Sequence, residues 1–78
     1  MAAEPLAALP VGAKGRVVGI RLGGGNRQRL LEMGLTVGAG FEVVRQAPLG
    51  DPIDLKVRGY HLSIRRADAA EIDVERAV

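Results

Sequence analysis

The amino-acid sequence predicts an all-β domain with one small helical insert, its five short strands bent into a barrel. Three observations carry that prediction. Runs rich in valine and isoleucine recur between clusters of glycine and proline, as short strands between turns do. Two of these runs, residues 53–57 and 60–64, alternate apolar and polar positions with matched parity across Arg58-Gly59. A single stretch, residues 26–35, reads as helix and carries its own stop signal.

The chain of 78 residues is read as one domain over residues 1–78. At this size only about 60% of the unfolded surface is buried on folding, so the core is small. A hydrophobic content of 47% suffices for a globule. No cysteine is present, which excludes disulfides and thiolate metal sites. The first ten residues lack a basic segment and are interrupted by Glu4, Pro5 and Pro10, a poor signal peptide. No apolar run approaches the roughly 20 residues of a membrane span, and a cytoplasmic domain is expected. The net charge of +2 is weak grounds for a polyanionic partner.

Residues 4–9 fit one helical turn with Pro5 at its first position, leaving Leu6 and Leu9 to plug one end of the core. Residues 10–15 are turn chemistry, and residues 16–21 are the first strand, where Gly19 marks a bulge. Gly23-Gly24-Gly25 lacks the spacing of a dinucleotide-binding loop and reads as a flexible connection. Asn26 is the expected N-cap of the helix. With Met33 as C-cap, Gly34 takes the left-handed position, and Leu30 and Leu35 form the hydrophobic contact of a Schellman stop. Arg27 and Arg29 lie at the positive end of the helix dipole, where cations are disfavoured, and are candidates for facing an acidic partner.

After a turn over residues 36–40, residues 41–47 form the second strand. Val11-Gly12-Ala13 and Val37-Gly38-Ala39 each precede a Val-Val strand and read as two turns entering two strands. Pro48 and Pro52 stiffen the next turn, with Leu49 at its tip and Asp51 beside it. In the following hairpin Gly59 supplies positive φ, and the register pairs Val57 with Tyr60, Leu55 with Leu62 and Ile53 with Ile64. Residues 67–71 fit one helical turn and residues 72–74 a last short strand. Five strands with a helix inserted after the first and a tight turn before the last follow the SH3-like pattern, in which closure removes exposed edges.

Little chemistry is available. His61, Ser63 and Asp54 share the outer face of the hairpin and superficially suggest a triad. Side chains two apart on a strand stand roughly 7 Å apart and parallel, so Ser63 does not reach His61. No enzyme is expected. One histidine with scattered carboxylates makes a poor metal centre, since a tight site needs three or four converging ligands; no metal site and no cofactor are expected. Lys56, Arg58, Arg65 and Arg66 could form a basic stripe for nucleic acid, the alternative reading of a small barrel. Phe41 and Tyr60 are too few for a stacking platform, so no stable nucleic-acid complex is expected.

Leu30-Leu31-Glu32-Met33-Gly34-Leu35 followed by Gly38, then the segments 47–53, 57–60 and 62–66, resemble the FeoA family in order and spacing. The opening residues 9–15 and Ala70-Glu71-Ile72 resemble it too, so the likeness spans nearly the whole chain. Val37 departs from the family, where proline often precedes the glycine. The resemblance implies an SH3-like barrel with a helical insert and an accessory role in bacterial ferrous iron uptake. The implied partner is the cytoplasmic part of the membrane transporter FeoB, to be bound and regulated rather than supplied with carried iron. Weak self-association is left open. The module also resembles the C-terminal domain of iron-dependent repressors, an alternative regulatory role. In an SH3-like barrel the binding groove lies between the first and second inter-strand loops. That makes Arg27, Arg29, Leu49 and Asp51 the candidate partner-binding residues, and Leu30, Gly34, Leu35 and Gly59 the structural ones.

Overall fold

In the computed structural model, which describes residues 3–77, the chain forms six strands and two short helices. The strands are β1 (Glu4–Pro5), β2 (Lys14–Ile20), β3 (Gly40–Gln46), β4 (Ile53–Val57), β5 (Tyr60–Ile64) and β6 (Ile72–Arg76). The helices are α1 (Gly24–Glu32) and α2 (Arg66–Ala69). One antiparallel sheet runs in the order β1-β6-β2-β3-β4-β5. The expected hairpin is present pair for pair: Ile53 faces Ile64, Leu55 faces Leu62 and Val57 faces Tyr60. Arg58 and Gly59 both take positive φ, 51° and 86°, which matches the twist of the flanking strands. Leu55 and Leu62 are buried, as the alternation requires.

Several element bounds shift by one or two residues from the sequence reading, and three features differ in kind. Glu4 and Pro5 pair with Val74 and Asp73 as a sixth strand, and the helical turn shrinks to a 3₁₀ turn over Leu6–Ala8. Pairing gives these backbone groups partners that an isolated turn would not, while Leu6 and Leu9 still plug the core. Helix α1 begins at Gly24 with Gly23 as N-cap, not at Asn26. The cause is tertiary: the Arg27 side chain donates to the Ile20 carbonyl at 2.9 Å, drawing the helix start back to the end of β2. Finally, the ladder stops at β5, which among the described residues has β4 as its only neighbour in the sheet. Hydrogen bonding therefore does not close the sheet on itself.

The two Val-Gly-Ala turns are not independent. The Gly12 amide donates to the Val43 carbonyl at 2.7 Å, and the Val43 amide donates to the Ala13 carbonyl at 2.9 Å. The Gly38 amide donates to the Val17 carbonyl at 2.7 Å, and the Val17 amide donates to the Ala39 carbonyl at 2.9 Å. The β2–β3 pairing is centred on Gly15 and Phe41, and the bulges fall at Val17/Gly19 and Val43/Arg45. A local twofold axis thus relates the two segments, and each turn is anchored in the other's strand. Gly15 lies where β6 approaches most closely; a Cβ there would run into the Glu75 carbonyl oxygen.

Candidate functional site

A groove of about 460 Å³ joins α1 to the rest of the fold. Arg29, Leu30 and Met33 of α1 form one wall. Pro52, Ser63, Ile64, Arg65 and Asp68 form the other. The helix is held in place by its stop. Leu35 N–H donates to the Leu30 carbonyl and Gly34 N–H to the Leu31 carbonyl, both at 3.0 Å, and Gly34 has φ of 90°. These are the two bonds of a Schellman motif, and Leu30 and Leu35 are both buried, as the sequence implied. The Tyr60 hydroxyl donates to the Met33 carbonyl, fastening the end of α1 to the start of β5. Tyr60 belongs to the apolar face of its strand, yet it remains 43% exposed because its ring reaches out to make this bond.

Asp68 is the one charged residue buried among the described residues, at 4% exposure. Arg65 donates to it from Nε at 3.2 Å and from Nη2 at 3.4 Å. Arg29 Nη2 approaches the same carboxylate at 3.8 Å from across the groove. A carboxylate taken out of water needs such partners. Arg65 and Asp68 lie three apart at the start of α2, so their pairing is local. The contact from Arg29 depends on the whole topology.

The loop over residues 47–52 flanks this groove. Its turn is fixed by the Gly50 amide donating to the Ala47 carbonyl at 2.7 Å. Asp51 Oδ1 accepts the Arg66 backbone amide at 3.1 Å, which ties the loop to α2. Leu49 stands at the tip, 94% exposed, and does not fold back as a lid. Of the four candidate partner residues, Arg29 lines the groove, and Leu49 and Asp51 lie in the loop beside it. Arg27 is half-buried and turned toward β2. Sequence reasoning missed Asp68 and assigned Arg65 to a basic stripe. The spacing of Arg65 and Asp68 on a helical turn was the available signal.

The outer face of the hairpin gives no catalytic arrangement. Ser63 Oγ donates to Asp54, its cross-strand neighbour, and His61 lies opposite Lys56. Among the described residues no three His, Cys, Asp or Glu side chains converge as a metal site. No helix among them is long and apolar enough to cross a membrane.

Comparison with known proteins places this geometry. A fusion of Fe(2+) transport protein A with the Fe(2+) transporter FeoB from Porphyromonas gingivalis is 41% identical over 70 residues, covering 90% of this chain. The chain spans only 8% of that relative's length. The NMR structure of a FeoA-like protein from Clostridium acetobutylicum superposes with a TM-score of 0.90 at 33% identity, covering all of this chain and 91% of that one. A zinc-bound FeoA from Stenotrophomonas maltophilia, described as a prokaryotic SH3 domain protein, shares the fold with a TM-score of 0.76 at 24% identity, over 91% of this chain and 88% of that one. The family model described as the FeoA domain matches residues 4–76, every strand and helix given above, and the chain belongs to that family.

Proposed function

We propose that this protein is a cytoplasmic accessory factor of ferrous iron uptake that docks on the cytoplasmic part of a FeoB-type transporter and regulates it without carrying iron. The observation that carries this reading is the relative in which the matching region and the transporter are one polypeptide. Fusion keeps the two parts at high effective concentration, which is useful only if they act on each other. The groove between α1 and the β5–α2 wall, flanked by the loop over residues 47–52, is the docking surface in this reading. Leu49 offers an apolar contact on a loop stiffened by Pro48 and Pro52, so little ordering entropy is lost on binding. Arg29, with Arg27 behind it on the same helix, directs positive charge toward an acidic surface and speeds encounter. Asp51 acts from behind, holding the loop against α2.

Pull-down of the transporter from membranes with the purified chain tests this. Wild-type protein captures it, whereas Leu49→Asp keeps its circular dichroism spectrum and melting temperature and fails to capture it. Charge reversal at Arg27 and Arg29 slows association and flattens its salt dependence. Normal capture by a folded Leu49→Asp variant would move the docking site elsewhere.

A further inference from the structure

We infer that the groove receives an extended, acidic segment of its partner as an added strand on the free edge of β5. This rests on the reading that a partner docks at the groove, and it specifies the form and the charge of the segment that enters.

The edge is available. In a two-residue hairpin the pair beside the turn is hydrogen-bonded in both directions, so the bonded pairs are Val57–Tyr60, Leu55–Leu62 and Ile53–Ile64. The N–H and C=O groups of His61 and Ser63 therefore point away from β4. No strand lies beyond them, and no turn or loop backbone group among the described residues bonds to them. A partner backbone laid alongside at the usual spacing of about 4.8 Å would satisfy all four groups. Ser63 and Ile64 also line the groove, so the added strand would run along its wall with Leu30 and Met33 opposite.

Charge decides the occupant. Arg58 stands at the turn end of β5, Arg65 and Arg66 follow its other end, and Arg29 reaches in from α1. Arg58 and Arg66 form no ion pair among the described residues. A second copy pairing antiparallel through the outward groups would be centred on Leu62. Each end of that pairing would bring Arg58, in the hairpin turn, toward the copy's Arg65 and Arg66 just beyond β5, and gathering like charges at both ends disfavours it. An acidic segment turns the same guanidinium groups into attractive, bidentate partners. Arg29 is available as well, though it has a partner. Its contact with Asp68 is long, at 3.8 Å, and Arg65 keeps that carboxylate paired at 3.2 Å when Arg29 turns away.

The test uses the isotope-labelled full chain, titrated with a short capped peptide of alternating valine and aspartate, with the valine–lysine peptide as control. The expected result is saturable binding of the acidic peptide alone, with slowed amide exchange at His61 and Ser63. Arg29→Glu should weaken binding by about tenfold, as loss of a charge-assisted pair does. Ser63→Pro removes an outward N–H together with the hydroxyl's bond to Asp54, at the kind of edge position where proline is tolerated, and should weaken binding similarly. If Ser63→Pro does not fold, Arg29→Glu and the exchange data decide. The inference is overturned if the acidic peptide does not bind, if the lysine peptide binds equally, or if binding leaves both amides unchanged. It is also overturned if sedimentation shows a dimer paired through β5. A transporter fragment that binds while His61 and Ser63 exchange freely overturns strand addition and leaves the docking reading intact. A fragment that fails to bind while the acidic peptide protects both amides overturns that reading and supports the edge.

Discussion

Gly34 is where backbone and side-chain demands meet most sharply. Its φ of 90° lies in the region that only glycine adopts readily, and a Cβ there would collide with the Tyr60 hydroxyl. Gly34→Ala should therefore destabilise the domain by about 1–3 kcal/mol, the usual cost of a residue held in a sparsely populated conformation. Tyr60→Phe removes the bond to the Met33 carbonyl and should cost about 0.5–1.5 kcal/mol. The two effects share one atom, so they should not add. The double variant should be more stable than the sum of the singles implies, because phenylalanine removes the oxygen that the new methyl would strike. Thermal or denaturant melts of the four proteins check this. Strict additivity would show that the strain at Gly34 is purely a matter of φ.

At the scale of elements, the hairpin β4–β5 carries the largest share of the apolar pairing. Leu55→Ala should cost about 2–5 kcal/mol in a denaturant melt, and a loss under about 0.5 kcal/mol would contradict its burial. This hairpin was legible in the sequence because alternation, turn residues and parity agree, and a slip of one residue would turn the apolar set outward. The end of α1 was legible for a similar reason: Leu30, Gly34 and Leu35 form a local motif within a few residues. Its beginning was not. Asn26 is a sound cap by local chemistry, but the bond from Arg27 to the Ile20 carbonyl is tertiary and adds a stretch of glycines to the helix. Strand β1 is two residues long, too short for any periodicity, and exists only because β6 runs beside it. The groove was half legible. The sequence reading set the helix of Arg29 beside the loop that ends at Pro52, but most of the facing wall comes from β5 and the start of α2, and Asp68 meets Arg29 only through the topology.

At the scale of the whole molecule, the arginines serve mainly as fasteners. Arg76 grips Glu4 at 2.9 Å, and Arg21 holds Glu71 at 3.2 Å and Asp73 at 3.0 Å, each joining distant parts of the chain. These pairs are largely exposed, so raising salt should change stability little while weakening any acidic partner's association strongly. Metal should matter as little. Calorimetric titration with Fe²⁺ or Zn²⁺ is expected to show no stoichiometric binding tighter than about micromolar. Tight binding abolished by His61→Ala would overturn that expectation.

The reciprocal bonds between the two Val-Gly-Ala turns also shape how the molecule comes apart. Each turn takes its hydrogen-bond partners from the strand that follows the other, Gly12 from Val43 and Gly38 from Val17. Neither half can loosen without stripping partners from the other, so this region has no low-energy partial opening. Native-state hydrogen exchange should give the Val17 and Val43 amides the same opening free energy, and that value should match global unfolding. The same reciprocity makes early folding non-local. No contact of this central unit forms until residues on both sides of α1 have met, so shortening the segment between β2 and β3 should speed folding more than it stabilises the product.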